Sequence, residues 1–332
     1  MNTVKYKGSI MSRQVAVYVG EGLKRYGFGV DHPLNQERLG AFWQAMQHSG
    51  LAQQVTVCEP VQAQQQIIER FHEHDYVERV KAQSRLGKGF LDYGDTPVFP
   101  GIYEAAATVV GCAVDATEKI LAGTYQRAFI PIGGLHHARR HTAAGFCVFN
   151  DCGVVIETLL KQHHLTRVVY VDIDAHHGDG VFYSFETEAA LYFVDIHEDG
   201  RYLYPGTGLA TETGQGVAKG TKLNIPLPPQ ANDEWFWRVW DFAEKFIVQA
   251  EPEFIIFQCG ADSLAGDPIT HLEYTFEVHA HAAKRLCVLA DRYCAGKILG
   301  LGGGGYNLEN LATAWTAVVA AFLEGEAPMP LS

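Results

Sequence analysis

The chain has 332 residues, 47% hydrophobic and 19% charged, with a formal net charge of −12. That is ample apolar material for a large buried core, and so acidic a surface argues against direct binding to nucleic acid. No run of about 18 apolar residues occurs and the N-terminal MNTVKYKGSIMSRQ has no apolar leader stretch, so the expectation is a soluble, cytoplasmic protein without membrane contact.

Short runs rich in Val, Ile and Phe alternate with helical patterns along the whole chain. Strands are expected at 15–19, 55–58, 128–132, 167–174, 190–196, 222–227, 254–259 and 297–301. Helices are expected at 36–48, 62–70, 74–85, 101–122, 151–164, 231–249, 275–294 and 307–323. Such alternation predicts a parallel α/β sheet with helices on both faces, whose ligands bind at the carboxyl ends of the strands. No linker, repeat or charge block divides the chain, so one domain over 1–332 is expected. The irregular stretches 20–34, 86–100 and 197–221 are long enough to be functional. Seven cysteines without a CxxC pair read as free core thiols rather than a disulfide framework. Trp235, Trp237 and Trp240 read as helix packing, and His279 and His281 as histidines without a role.

The densest chemistry lies at 171–180, VDIDAHHGDG. Asp172, Asp174 and His176 are spaced by two, and would project to one side if the strand stays extended. Such groups on a buried strand need a partner, and a bound cation is one. Asp262 follows the strand 254–259 in a similar way, so Asp174, His176 and Asp262 form a candidate metal set. Three donors leave a position open for water, the catalytic arrangement for Zn²⁺, and a carboxylate-rich set also suits Fe²⁺. His136 and His137 follow a Gly pair after another strand and can serve as acid and base, with Asp172 and Asp179 to orient them. The segment 300–306, GLGGGGY, contains G-x-G-x-x-G, but no later strand carries the acidic ribose contact of a dinucleotide site. Its glycines are expected to make a flexible turn that delivers Tyr306 as an oxyanion donor. Together these groups point to metal-assisted hydrolysis of an amide or ester.

The segments GGLHHA, GFCVFND, VDIDAHHGDG, YPGTG, GADSLAGDP and GGGGYN resemble those of the zinc-dependent histone deacetylase superfamily, including its bacterial acetoin-utilisation and acetylpolyamine branches. The resemblance runs from about residue 31 to the last helix. It implies the arginase/deacetylase fold, an eight-stranded parallel sheet. It implies metal ligation by Asp174, His176 and Asp262, and a general base at His137 with His136 as its electrostatic partner. Asp172 and Asp179 would pair with His136 and His137 respectively, and Tyr306 would polarise the scissile carbonyl. Gly145 and Phe146 would form one wall of an acyl-lysine tunnel, with Tyr204 facing them and Asp95 at the rim. Arg38 matches the arginine of an internal channel behind the metal.

The chain departs from the family pattern in three places. Tyr204 stands where many relatives have Phe, and its hydroxyl would alter substrate preference. Asp195 stands where many have Ser beside a structural K⁺, whose backbone ligands would lie around Asp172, Asp174, His176 and Ile196. Ile269 stands where polyamine-selective relatives carry a Glu, which argues against acetylpolyamine specificity. The leading expectation is therefore a deacylase of N-acyl-lysine in a peptide or protein. The alternatives are an acetylpolyamine or other small-molecule amidohydrolase, a two-metal ureohydrolase, or a silent acyl-lysine reader. The ureohydrolase reading is disfavoured by Gly178, which stands where its D-A-H-x-D pattern needs Asp, and the reader reading by the complete ligand and tyrosine set. The sequence leaves homo-oligomerisation open.

Overall fold

The structure, a computed structural model, describes residues 15–324. The leader reading of 1–14 lies outside the described residues. The apolar runs form eight strands: β1 (Val15–Tyr18), β2 (Thr56–Cys58), β3 (Arg127–Ile130), β4 (Val168–Asp172), β5 (Leu191–Glu198), β6 (Lys222–Leu227), β7 (Phe254–Gln258) and β8 (Ile298–Leu301). They make one all-parallel sheet in the order β2-β1-β3-β8-β7-β4-β5-β6. Strands β4 and β7 are buried at every position, as a sheet covered on both faces requires. The strand order turns back between β3 and β4, with β8 and β7 inserted between them. Four neighbouring strands, β3, β8, β7 and β4, thus end side by side, and each runs into one of the polar motifs read above. That is the switch point at which doubly wound sheets bind ligands.

The helices are α1 (Glu21–Lys24), α2 (Glu37–His48), α3 (Gln65–Ile68), α4 (His74–Leu86), α5 (Ile102–Leu121), α6 (Asp151–Glu157), α7 (Asp179–Ser184), α8 (Asp233–Ala250), α9 (Phe276–Tyr293) and α10 (Leu308–Glu324). Helix α10 packs on α9 and α2, while α5 packs on α6 and α4. The expected helix at 62–70 shortens to α3 because Gln64 is extended, with ψ 154°. The helix expected at 151–164 ends in a π-helical turn, Thr158–Gln162. The short helices α1 and α7 were not expected. Trp240 is buried and donates to Glu244, but Trp235 and Trp237 are 41% and 36% exposed, so the tryptophan cluster is packed only in part. All seven cysteines are free thiols, six of them buried.

Helix α5 is buried along most of its length and touches the segment after β2 at close range, where Ala63 donates to the Ala107 carbonyl at 2.9 Å. A Cβ on Gly111 would collide with the Val61 carbonyl and come within 2.5 Å of the Ala63 nitrogen. Gly40, in α2, has nothing within 4 Å of the same position. Opposite signs are expected in urea titrations. Gly111→Ala should lower stability by about 1–3 kcal/mol through overpacking, and Gly40→Ala should raise it by about 0.5–1 kcal/mol through helix propensity.

Candidate active site

Strand β4 stops at Asp172, two residues earlier than the sequence pattern suggests, and its own side chains are the reason. Asp172 Oδ1 accepts the N–H of Asp174 at 3.1 Å, and Asp174 Oδ1 accepts the N–H of His176 at 3.0 Å. Each aspartate captures the amide two residues ahead and curls the backbone out of the extended ladder. The three side chains therefore do not share one side of a strand. Asp172 meets His136 from the loop after β3, while Asp174 meets Gln258 of β7 and His176 meets Asp262 just beyond it.

There they meet Asp262, in the 3₁₀ turn Ala261–Ser263 after β7. One donor atom from each of Asp174, His176 and Asp262 lies within 4.8 Å of the others, and all three residues are buried. His176 Nδ1 stands 3.1 Å from both Asp174 Oδ1 and Asp262 Oδ2. The outer faces of the carboxylates are held as well. Asp174 Oδ2 accepts from Gln258 Nε2 at 2.9 Å and from the Gly304 amide at 2.8 Å, and Asp262 Oδ1 accepts from the Ala175 amide at 2.9 Å.

The electrostatics of this cluster are those of a site with surplus negative charge. Burial lowers the affinity of His176 for a proton, but bonds to Asp174 and Asp262 overcome it and hold the imidazole at about 10. Burial, with the charge of Asp174, pushes Asp262 up to about 7. Two carboxylates and an imidazole, buried and preorientated, fit a small divalent cation such as Zn²⁺ or Fe²⁺.

The loop after β3 brings in the histidine pair. His136 Nδ1 lies 2.8 Å from Asp172 Oδ2, and His137 Nδ1 lies 2.8 Å from Asp179 Oδ1, at the first position of α7. With both Nδ1 atoms tied to carboxylates, the two Nε2 atoms face each other at 3.1 Å. Asp179 also accepts from Arg139 at 3.0 Å, and Asp172 from the Tyr170 hydroxyl at 2.6 Å. Burial and the neighbouring His136 lower His137 to about 4 despite Asp179, so its imidazole is neutral at pH 7 and able to accept a proton.

A pocket of about 260 Å³ opens above these groups. His137, His176 and Tyr306 form part of its wall, with Asp95, Gly145, Phe146, Leu203, Tyr204 and Ile269. Phe146 meets Tyr306 edge-on at 5.9 Å, and Tyr204 meets His137 at 5.1 Å. Burial and the Asp262 and Asp174 carboxylates hold the Tyr306 phenol well above its ordinary value, so it stays protonated and can donate.

The glycines before Tyr306 do not form the loose turn expected from the sequence. Gly302, Gly303 and Gly304 donate to the Ile130 carbonyl, the Gly133 carbonyl and Asp174. A Cβ on Gly304 would collide with the Asp262 carboxylate. Close approach, more than flexibility, demands glycine there. Arg38 is buried on α2 and donates to the carbonyls of Gly303 and Gly305 at 2.5 and 2.9 Å, bracing the glycine loop from below. Asp195 lies beside Asp172 across the β4–β5 pairing. Its two oxygens are taken by the Gly178 amide and by His197 Nδ1, at 2.8 and 2.7 Å.

A switch-point pocket in a parallel α/β sheet, with three buried donors that could hold a cation beside a carboxylate-held histidine pair, has the make-up of a hydrolytic site. Comparison with known proteins narrows the class. Residues 32–322 match the family model for the histone deacetylase domain. The chain is 36% identical over 305 residues to the acetoin utilization protein AcuC of Bacillus subtilis, covering 88% of this chain and 78% of that protein. It is 35% identical over 331 residues to histone deacetylase 19 of Arabidopsis thaliana, covering 96% of this chain and 64% of the plant protein. The crystal structure of the HDA15 HD domain superposes with a TM-score of 0.85 at 26% identity, covering 95% of this chain and 89% of that one. The chain belongs to the histone deacetylase family, and this membership supports a deacetylase activity.

Several positioning residues escaped the sequence reading. Gln258 ends the otherwise apolar strand FIIFQ, and a polar residue in a buried strand was its one signal. His279, given no role from sequence, is buried and bonds the Gly260 carbonyl at 2.9 Å. Asn150 caps α6 and donates to the His136 and Ala138 carbonyls. Asp151 accepts the amides of Gly134 and Leu135 at 2.9 and 2.8 Å, fixing the loop that carries the histidines. Removing it leaves two buried N–H groups unpaired. Asp151→Ala is expected to lower stability by at least about 2 kcal/mol in urea titration, with Asp151→Asn, which keeps one acceptor, losing less.

Proposed function

We propose that this chain is a metal-dependent deacylase that hydrolyses the amide bond of N-acyl-lysine in peptides or proteins. The observation that carries the reading is the convergence of Asp174, His176 and Asp262 directly beneath a narrow pocket walled by His137 and Tyr306. Zn²⁺ is the proposed ion, with Fe²⁺ the alternative, held by those three residues. Bound there, it would supply a Lewis acid that brings a water pKa near 7 and polarises a carbonyl.

The protein's own groups do the rest. His137 takes a proton from the attacking water on Nε2, while Asp179 holds the opposite nitrogen and stabilises the imidazolium that forms. His136, tied to Asp172, lies 3.1 Å away and tunes that base electrostatically. Water oxygen bonds to the acyl carbon, and the Tyr306 hydroxyl donates to the carbonyl oxygen as it gains charge. The C–N bond then breaks, and His137 returns its proton to the leaving lysine nitrogen, releasing the amine and the carboxylic acid, which keeps the water's second proton. Phe146 and Tyr204 offer aromatic walls to an aliphatic lysine stem, Gly145 leaves it room, and Asp95 at the rim would accept substrate backbone N–H groups. Arg38 holds the carbonyls of Gly303 and Gly305 in the glycine loop that carries Tyr306. A structural K⁺ beside Asp195 remains part of the proposal.

Small acylated amines, including acetylpolyamines, are the second reading, since the chemistry is the same. The apolar Ile269 in the pocket wall disfavours a cationic substrate tail. Three outcomes are expected. In a substrate panel on zinc-loaded protein, kcat/KM should be higher for an acetyl-lysine peptide than for an acetylated polyamine; a large preference for the polyamine would reverse the ordering. Tyr306→Phe should reduce kcat by about 10²–10³-fold while KM changes little, as loss of an oxyanion donor does. Chelation should abolish turnover and added Zn²⁺ restore it, whereas full activity in metal-free protein would remove the reading.

A further inference from the structure

The loop after β7 carries one more buried carboxylate, which the chemistry above leaves without a task. Asp267 is 8% exposed. Its Oδ1 accepts the N–H of Ile269 at 3.1 Å, a local turn that many aspartates make. Its Oδ2 does something a local turn does not explain. It accepts the backbone N–H of Tyr306 at 2.9 Å, across 39 positions of sequence. One carboxylate therefore holds two residues of the same pocket wall, Ile269 and Tyr306.

The tyrosine needs such an anchor. Gly303 and Gly305 precede it with φ of 70° and 126°, conformations that only glycine adopts readily, so the local backbone does little to fix the direction of the next side chain. Arg38 grips the carbonyls of Gly303 and Gly305 on one side. Asp267 grips the amide of Tyr306 on the other. Two weaker ties join the same loops, from Asn307 to the Gly266 carbonyl at 3.3 Å and from Asn310 to the Ala265 carbonyl at 3.0 Å. Those are neutral amide contacts at more exposed positions. The bond to Asp267 is part-buried and to a carboxylate, the stronger kind.

Resting on the deacylase reading, we propose that Asp267 is a positioning residue: it fixes the backbone of Tyr306 and of Ile269 on one carboxylate, and so sets where the tyrosine hydroxyl meets the reacting carbonyl. It touches no substrate and acts through Tyr306. A hydroxyl displaced by a fraction of an ångström loses most of its value in the transition state and little in ground-state binding. The effect therefore falls on kcat.

The test compares zinc-loaded wild type, Asp267→Asn, Asp267→Ala, Tyr306→Phe and the Asp267→Asn/Tyr306→Phe double variant on an acetyl-lysine peptide. Zinc content and hydrogen exchange of the 302–308 segment are measured on the same proteins. Asn offers one carbonyl oxygen to two N–H donors, so kcat should fall in the order Asp, Asn, Ala, by roughly ten- to a hundredfold in the Asn variant. KM should stay within about twofold, zinc content should hold, and exchange in 302–308 should quicken. In the Tyr306→Phe background the Asn substitution should cost less than about threefold, because its effect runs through the missing hydroxyl. Multiplicative losses in the double variant, a change confined to KM, lost zinc, or unaltered exchange would overturn the inference. If Asp267→Ala does not fold, the Asn variant and its exchange decide. A wild type inactive on every acyl-lysine substrate defeats the deacylase reading instead, and the exchange result still reports whether Asp267 anchors the loop.

Discussion

Two carboxylates and an imidazole are buried within 4.8 Å of one another with no lysine or arginine among them, and much of the molecule is arranged around that unbalanced charge. Isolated carboxylates in a dry interior are costly unless their lone pairs are met. Here backbone amides from Ala175 and Gly304, and the amide side chain of Gln258, meet the outward lone pairs. The inward ones converge on His176 Nδ1, 3.1 Å from Asp174 Oδ1 and from Asp262 Oδ2. Arg38, also buried, spends its donors on the carbonyls of Gly303 and Gly305 rather than on the carboxylates.

The sheet topology makes the convergence achievable. Strands β4 and β7 are direct neighbours, which brings Asp174 and Asp262 together although 88 positions separate them. Strand β8 lies on the far side of β7 and β3 beyond it, so the glycine loop and the histidine loop reach the same place from the other side. Side-chain bonds then aim each group: the aspartates curl the end of β4, Asp151 and Asn150 set the histidine loop, and Asp179 and Asp172 fix the two imidazoles.

The strands were legible because apolar runs of four to six residues repeat with polar punctuation, and all eight fall within a few residues of their expected ends. The cluster of Asp174, His176 and Asp262 was legible because carboxylates and imidazoles just past a buried strand are costly unless a cation or a set of hydrogen bonds takes them up. What escaped was whatever depends on a partner distant in sequence. Nothing local distinguishes Gln258 or Asp151 from any polar residue at an element's end; their meaning comes from Asp174 and from the Gly134 and Leu135 amides, placed there by the fold. The extended reading of Asp172, Asp174 and His176 failed because their own side chains compete with the ladder for backbone N–H groups. The glycine loop looked flexible from composition, yet its glycines are there for closeness to Asp262 and to the loop after β3. The backbone carbonyls of Gly303 and Gly305 that Arg38 holds could not be read from its sequence neighbours.

The proposed chemistry turns on where a cation sits. Crystals grown with Zn²⁺ and measured on both sides of the zinc absorption edge would locate it without reference to activity. A single anomalous peak between Asp174, His176 and Asp262 is the predicted result. No peak there, or a peak held by other residues while that trio stays closed on itself, would contradict it.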